Sequence, residues 1–249
     1  MSLETPALQL YSVRDHMGND PEGTLKKLRE IGYQHVELAG TAGMSQEAFK
    51  GVLDELDMKA VATHQSFNHV VNNVDAVISE ARLFGMEYVV IPWHRADSAE
   101  GWAEAGKRMG QAGEVLREAR VRLCYHNHGH EFDTFDGKSA FDIIFDNADP
   151  ECLGLELDTA WAAIAGEDVP ALITRFTDRM PLVHLKDYKV VGDSNVLTEL
   201  GNGVMDWDAI LAACETAGVV WHIAELDQSE TDSLESAEVN YNFIRGKAG

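Results

Sequence analysis

The stretch RDHMGNDPEG, residues 14–23, decides between the two folds that the rest of the chain allows. It separates the first predicted strand, ALQLYSV (7–13), from the first predicted helix. An open, doubly wound nucleotide-binding sheet places GxGxxG at this position, because those glycines let the backbone approach a pyrophosphate. Residues 14–23 lack that motif and instead supply Asp20 as a helix N-cap and Pro21 in the first turn. The stretch therefore favours a closed barrel.

Short apolar runs alternate with stretches of helical periodicity along the whole chain, and Gly32, Gly85 and Gly218 stand where helices should end. Eight such units in about 250 residues match the size of a (β/α)8 barrel. We therefore predict the α/β class and one (β/α)8 TIM-barrel domain over residues 1–249. The predicted strands are 7–13, 34–39, 58–63, 87–93, 121–126, 153–158, 181–186 and 219–225.

Composition excludes several classes of protein. The 249 residues include 20 Lys and Arg against 42 Asp and Glu, a formal charge of −22, and 45% are hydrophobic. A chain with this much apolar surface folds, and its negative charge disfavours nucleic acid and anionic membrane surfaces as partners. The N-terminus does not resemble a signal peptide, and no apolar run reaches the roughly 18 residues of a membrane span. Three widely spaced cysteines indicate a reducing compartment, so we expect a cytoplasmic protein.

Ligand-type side chains collect at the predicted strand ends, where barrels carry their active sites. Any one of them is equally well explained as a helix cap or a surface group. Together they form an oxygen-rich set with imidazole, which suits a divalent cation, and burying so much negative charge without one is unfavourable. The set comprises Glu37, His64, Gln65, Trp93, His94, Arg95, the run YHNHGHEF (125–132), Asp158, His184, Lys186, Asp187, Glu225 and Asp227.

Six motifs in chain order resemble the xylose-isomerase-like TIM-barrel superfamily of sugar isomerases and epimerases, which has inosose dehydratase-like and endonuclease IV-like branches. The resemblance spans essentially the whole chain, and its strength lies in the order and strand placement of the motifs. They are LQLYSVRD (8–15), VELAG (36–40), YHNHGHEF (125–132), LELDTAW (155–161), VHLKDY (183–188) and AELD (224–227).

The resemblance implies one divalent metal ion, Mn²⁺, Mg²⁺, Co²⁺ or Zn²⁺, held by strands five to eight. Asp158, His184 and Glu225 match the ligand positions of the family. On strand five, His126 occupies the position of the epimerase glutamate and Glu131 follows five residues later. The form Y-H-N-H is similar to the inosose dehydratase-like and keto-glycoside-processing relatives. We therefore assign Glu131 as the fourth ligand and keep His126 as the alternative.

The implied reaction proceeds through an enediolate. A cation that binds a sugar carbonyl oxygen acidifies the neighbouring C–H, and a carboxylate, Glu131 or Glu225, removes the proton. Isomerisation or epimerisation of a keto-sugar or related polyol is the predicted function, and elimination from an inosose or 3-keto-glycoside by a lyase is the alternative. Lys186 is predicted to donate a proton or stabilise the oxyanion, although an ion pair with Asp158 or Glu225 explains it equally well.

A small-molecule sugar is the expected partner, and few basic residues stand at strand ends, so we favour an unphosphorylated one. The resemblance also implies a homo-oligomer, a dimer or a tetramer. Trp93 is predicted to stack on a sugar ring, or else to pack in the core. The predicted substrate-binding residues are His64, Trp93, His94, His126, His128 and Lys186.

Two other functions are weighed against this one. An endonuclease IV-like DNA repair enzyme needs basic DNA-contacting loops and additional ligands, which the charge of −22 argues against. A sugar-binding barrel that has lost its chemistry would have lost ligands. Because Asp158, His184 and Glu225 are all present, an enzyme is favoured.

Overall fold

A computed structural model describes residues 2–248 as a closed barrel of eight parallel strands, which confirms the predicted fold class. The strands pair in chain order, and the last pairs with the first. The predicted domain, 1–249, includes residues 1 and 249, which lie outside the described part of the chain. The strands are β1 (Ala7–Gln9), β2 (His35–Leu38), β3 (Lys59–His64), β4 (Tyr88–Ile91), β5 (Arg122–His126), β6 (Gly154–Asp158), β7 (Leu182–Leu185) and β8 (Trp221–Ala224).

Helices follow every strand and cover the outside of the barrel. Asp20 caps the second helix by accepting a hydrogen bond from the Gly23 N–H at 3.0 Å, and Gly85 and Gly218 end later helices with left-handed φ of 70° and 75°. The predicted boundaries at these residues are confirmed. The helices are α1 (Arg14–Met17), α2 (Pro21–Ile31), α3 (Gln46–Glu55), α4 (Phe67–Asn72), α5 (Val74–Phe84), α6 (Ala99–Glu118), α7 (Ala140–Asp146), α8 (Thr159–Ile164), α9 (Val169–Arg175), α10 (Trp207–Ala217) and α11 (Ser233–Gly246).

The barrel interior has an apolar layer near the strand starts and a polar layer above it. Ala7, Ala62, Cys124, Leu182 and Ile223 are all buried in one apolar cluster. Because alternate residues of a strand share a face, the residue two positions later on each strand enters the next interior layer. These second-layer residues are Gln9, His64, His126, His184 and Glu225. The apolar layer closes the lower barrel, so the polar side chains face the carboxyl ends of the strands.

Two sequence predictions differ from the structure. The first strand ends at Gln9, because Leu10–Val13 form a 3₁₀ turn that begins where the Gln9 side chain accepts the Tyr11 N–H at 3.0 Å. The segments 127–139 and 187–205, which hold none of the predicted strands, each contain a β-hairpin. The longer one pairs Asp187–Val191 with Ser194–Thr198. Among residues 2–248, none of the helices has the length and hydropathy needed to cross a bilayer. All three cysteines are buried free thiols.

Candidate metal and proton-transfer site

Four side chains from β5 to β8 converge at the carboxyl end of the barrel. His126 and Asp158 end β5 and β6, His184 lies within β7, and Glu225 follows β8. One donor atom from each of these four residues lies within 4.8 Å of the other three, and all four residues are buried. We call them the outer cluster. Two imidazoles and two carboxylates from four neighbouring strands are a donor set suited to a divalent transition metal, so the residues present fit such an ion.

Lys186 lies against the outer cluster and is fully buried. Its Nζ is 2.7 Å from Asp158 Oδ2, 2.8 Å from Glu225 Oε2 and 2.8 Å from Asp227 Oδ2. Burial disfavours the ammonium form, but these three carboxylates outweigh burial and hold the pKa of Lys186 well above its usual value. Lys186 is therefore a protonated donor in contact with Glu225.

The two carboxylates of the outer cluster, Asp158 and Glu225, have pKa values shifted in opposite directions. Burial, with the Glu225 charge, raises the pKa of Asp158 to about 6 against the lowering effect of Lys186. Burial acts on Glu225 in the same direction, but Lys186 and His184 outweigh it and hold the pKa of Glu225 well below its usual value. Glu225 therefore stays ionised to lower pH than Asp158, and the ionised form is the one that accepts a proton.

Beneath the outer cluster lies a second group, the inner cluster, formed by Glu37, His64 and Glu156. His64 Nε2 is 2.9 Å from Glu156 Oε2 and 3.3 Å from Glu37 Oε2. Burial lowers the pKa of His64, but the two glutamates outweigh it and raise that pKa to about 10. Protonated His64 therefore partly neutralises two carboxylates that are 0% exposed.

Glu131, predicted as the strand-five ligand, lies elsewhere. Its Oε1 accepts the Tyr125 hydroxyl at 2.7 Å, and its Oε2 accepts the His128 backbone N–H at 2.8 Å. Burial raises the pKa of Glu131. The structure therefore brings His126, the alternative ligand, into the outer cluster and leaves Glu131 bonded within its own loop, at the 3₁₀ turn His130–Phe132.

The other predicted substrate-binding residues are divided between the mouth and the interior. Trp93 is 50% exposed and its ring lies 5.5 Å from the His130 ring, so it is placed at the mouth. The ring centroids of His94 and Phe67 are 4.2 Å apart, so the imidazole packs against Phe67. His128 is half-buried, and burial, aided by Lys186, lowers its pKa to about 4. His64 belongs to the inner cluster.

Two residues of the site have no assigned role in the sequence prediction. Glu37 is noted there only as a strand-end carboxylate, and Glu156 is absent. A signal for Glu156 exists in the motif LELD, because Glu156 and Asp158 are two apart and therefore share one face of β6. Glu156 also lies beside His126 in the register of β5 and β6.

Comparison with known proteins agrees with the barrel fold. A family model described as "Xylose isomerase-like TIM barrel" matches residues 25–243. An inosose dehydratase of Clostridium tetani is 26% identical over 212 residues, which cover 76% of this chain and 70% of that protein. Inosose dehydratase 2 of Bacillus cereus is 24% identical over 253 residues, covering 92% of this chain and 83% of that protein.

Solved structures share the fold. A sugar phosphate isomerase/epimerase from Parabacteroides distasonis superimposes with a TM-score of 0.86 at 20% identity, covering 100% of this chain and 96% of that one. The IolI protein, solved with a zinc atom bound, gives a TM-score of 0.75 at 14% identity, covering 98% of this chain and 99% of that one.

Proposed function

Because the chain belongs to the xylose isomerase-like TIM barrel family, we propose that it is a divalent-metal-dependent lyase. Its substrate is a keto-polyol, such as an inosose or a 3-keto-glycoside, and the reaction eliminates a β-hydroxyl or β-glycosyl group. The observation that carries the proposal is the contact between Lys186 and Glu225, 2.8 Å long and buried at the carboxyl end of the barrel. In the proposed reaction Lys186 is the acid and Glu225 is the base, and this contact would let a proton pass between them. The curated relatives named inosose dehydratase support the same class.

The proposed metal ligands are the outer cluster, His126, Asp158, His184 and Glu225. A divalent ion there would supply Lewis acidity to a carbonyl oxygen and so acidify the adjacent C–H. This set replaces Glu131 with His126, because Glu131 is bonded to Tyr125 and His128. The zinc atom in IolI supports a metal in a barrel of this shape, while the identity of the ion here remains part of the proposal.

The proton transfers of an elimination balance between the two contacting residues. Glu225 takes the proton from the carbon next to the carbonyl, and the C–H electron pair forms the new C=C bond. Lys186 gives a proton to the departing oxygen, which leaves as water or as an alcohol. The proton on Glu225 then passes to the neutral Lys186 amine across the 2.8 Å contact and restores both groups.

Isomerisation of a keto-sugar is the second candidate, since it needs only one base that returns the proton to the neighbouring carbon. The likeness to a structure named sugar phosphate isomerase/epimerase supports isomerisation as a candidate. Epimerisation is less well supported, because it needs a second proton carrier on the opposite face and Glu131 is engaged in its loop. Arg14 and Lys189 are paired with Asp227 O and Glu230, which supports an unphosphorylated substrate.

The test is deuterium exchange in D₂O with Mn²⁺ and three substrates: an inosose, a 3-keto-glycoside and a ketose. The wild-type protein should exchange the C–H next to the carbonyl and release a dehydrated or deglycosylated product. Glu225→Gln should lower exchange at least about 100-fold, since general-base catalysis contributes about 10²–10⁴. The exposed control Glu238→Gln should exchange normally. An isomer as the sole product would favour the second candidate, and exchange that survives Glu225→Gln would remove Glu225 as the base.

A further inference from the structure

His184 presents its two ring nitrogens to different clusters. Its Nδ1 lies 2.8 Å from Glu225 Oε2 in the outer cluster. Its Nε2 lies 2.6 Å from Glu37 Oε2 and 3.2 Å from Glu156 Oε2 in the inner cluster. One imidazole therefore joins the two clusters.

His126 is arranged in the same way. Its Nδ1 lies 3.1 Å from Glu156 Oε2, and its Nε2 lies on the opposite side, 3.8 Å from Asp158 Oδ2. Both histidines thus direct one nitrogen inward to a glutamate and the other outward to the outer cluster. An ionised carboxylate only accepts hydrogen bonds, so an inward nitrogen bonds it only when that nitrogen carries a proton. The outward Nδ1 of His184 also faces a carboxylate, Glu225, and a metal ion bound there would take the place of its proton.

The two inner glutamates are themselves fixed. Gln9 Nε2 donates to Glu37 Oε2 at 2.8 Å, and His64 bonds Glu156 Oε2 at 2.9 Å. Both carboxylates are 0% exposed, so water does not compete for their oxygens. The acceptor positions below the two histidines are therefore set by the barrel itself.

We infer that Glu37 and Glu156 are positioning residues for the metal centre: they keep the inward nitrogens of His184 and His126 protonated, so that His184 Nδ1 and His126 Nε2 are the nitrogens left to bind a metal ion. The inference rests on the proposed function, because it needs a metal bound by the outer cluster. Neutral imidazole has one N–H and one lone pair, and an outer carboxylate partner commonly selects which nitrogen binds the metal.

A second set of donors, which shares His64 and Glu156 with the inner cluster, is the competing candidate for a metal site. Donor atoms of His64, His126, Glu156 and His184 also lie within 4.8 Å of one another. Two ions at once would require both histidines to lose their remaining protons and bridge the sites. The positioning role needs only neutral rings, so it predicts one ion per chain.

The first test is zinc titration of the full-length metal-free protein, by calorimetry with a competing chelator. Wild-type protein should bind one zinc ion. Glu156→Gln should weaken binding about 10–100-fold, the usual effect of losing an outer carboxylate partner. The matched control is Glu80→Gln, a buried glutamate bonded to Gln46 and Gln65 and absent from both clusters. Unchanged affinity in Glu156→Gln, or two zinc ions per wild-type chain, would overturn the inference.

The second test reads the ring nitrogens directly, by long-range ¹⁵N–¹H spectra of ¹⁵N-histidine protein with zinc. Wild-type spectra should show protonated Nε2 in His184 and protonated Nδ1 in His126, and Glu156→Gln should mix the tautomers of His126. A purely structural glutamate would change unfolding but leave these tautomers alone. If Glu156→Gln does not fold, Glu156→Asp and Glu37→Gln undergo the same two measurements. Wild-type protein that binds no zinc refutes the metal centre itself, whereas a variant that binds like wild type refutes only the positioning role.

Discussion

At the scale of single residues, His126 and Glu131 show that a side chain on a strand and a side chain in the following loop have different access to a metal ion. His126 is the last residue of β5, so its direction is set by the strand, and it points into the barrel. Glu131 lies beyond the strand, where Tyr125 and the His128 N–H bind both of its oxygens. A carboxylate with both oxygens engaged in its own loop is poorly placed to bind a metal as well.

Removing the Glu131 carboxylate should therefore affect stability more than metal binding. Glu131→Ala leaves the buried Tyr125 hydroxyl and the His128 N–H without acceptors, and we expect the free energy of unfolding to fall by about 2–4 kcal/mol. Zinc stoichiometry should remain one per chain. His126→Ala should also lower the free energy of unfolding, because it removes a buried partner of Glu156, but unlike Glu131→Ala it should cause a large loss of zinc affinity. Denaturant unfolding and zinc titration of both variants check this. Loss of zinc from Glu131→Ala in its folded form would restore Glu131 as the ligand.

At the scale of elements, periodicity and turn residues predicted the eight strands and several helix ends, because burial imposes both patterns on the sequence. The pattern does not separate a strand from a buried 3₁₀ turn, so it predicts a strand over Leu10–Val13, where the structure has the turn. It also does not predict the hairpin beginning at Asp187, whose strands are mostly exposed or half-buried and carry no hydrophobic alternation. For Glu156, the two-residue spacing from Asp158 indicates the face of the strand, but it does not indicate that His126 lies beside it.

The hairpin after β7 depends on one carboxylate, Asp187, which is 0% exposed. Its Oδ2 accepts the Trp207 indole N–H at 2.9 Å and the Gly201 N–H at 3.0 Å, and its Oδ1 accepts the Tyr188 N–H at 2.9 Å. These bonds join both ends of the segment that leads from the hairpin into α10. The segment therefore owes its position beside the site to a buried acceptor.

Replacing Asp187 by Asn exchanges one accepting oxygen for an NH₂ group, which faces N–H donors that it cannot bind. We expect Asp187→Asn to lower the free energy of unfolding by at least about 2 kcal/mol and to speed amide hydrogen exchange over 199–207. The matched control is Asp193→Asn in the exposed hairpin turn, which should change neither quantity. Denaturant unfolding and exchange mass spectrometry provide the measurements. Equal behaviour of the two variants would contradict the role of Asp187.

At the scale of the whole molecule, the charge of −22 has two separate parts. Glu37, Glu156, Asp158, Glu225 and Asp227 meet at the site, where Lys186 and the histidines lie against them. The other acidic residues lie outside these two clusters, and most are exposed. The excess negative charge on the surface produces long-range repulsion across the barrel. It disfavours polyanionic partners and does not contribute to the chemistry.

Repulsion of this kind weakens when salt screens it. Raising NaCl from about 0.01 M to about 0.15 M shortens the Debye length from about 30 Å to about 8 Å, so surface carboxylates on different helices no longer repel strongly. The unfolded chain keeps its charges farther apart and gains less. We therefore expect salt to stabilise the metal-free protein by about 1 kcal/mol, a rise of about 2–4 °C in Tm. Thermal unfolding in NaCl and in KCl at equal ionic strength measures it, because screening does not depend on which monovalent cation is present. A Tm that falls with salt, or that rises in only one of the two salts, would show that ion pairs or specific ion binding dominate over the net charge.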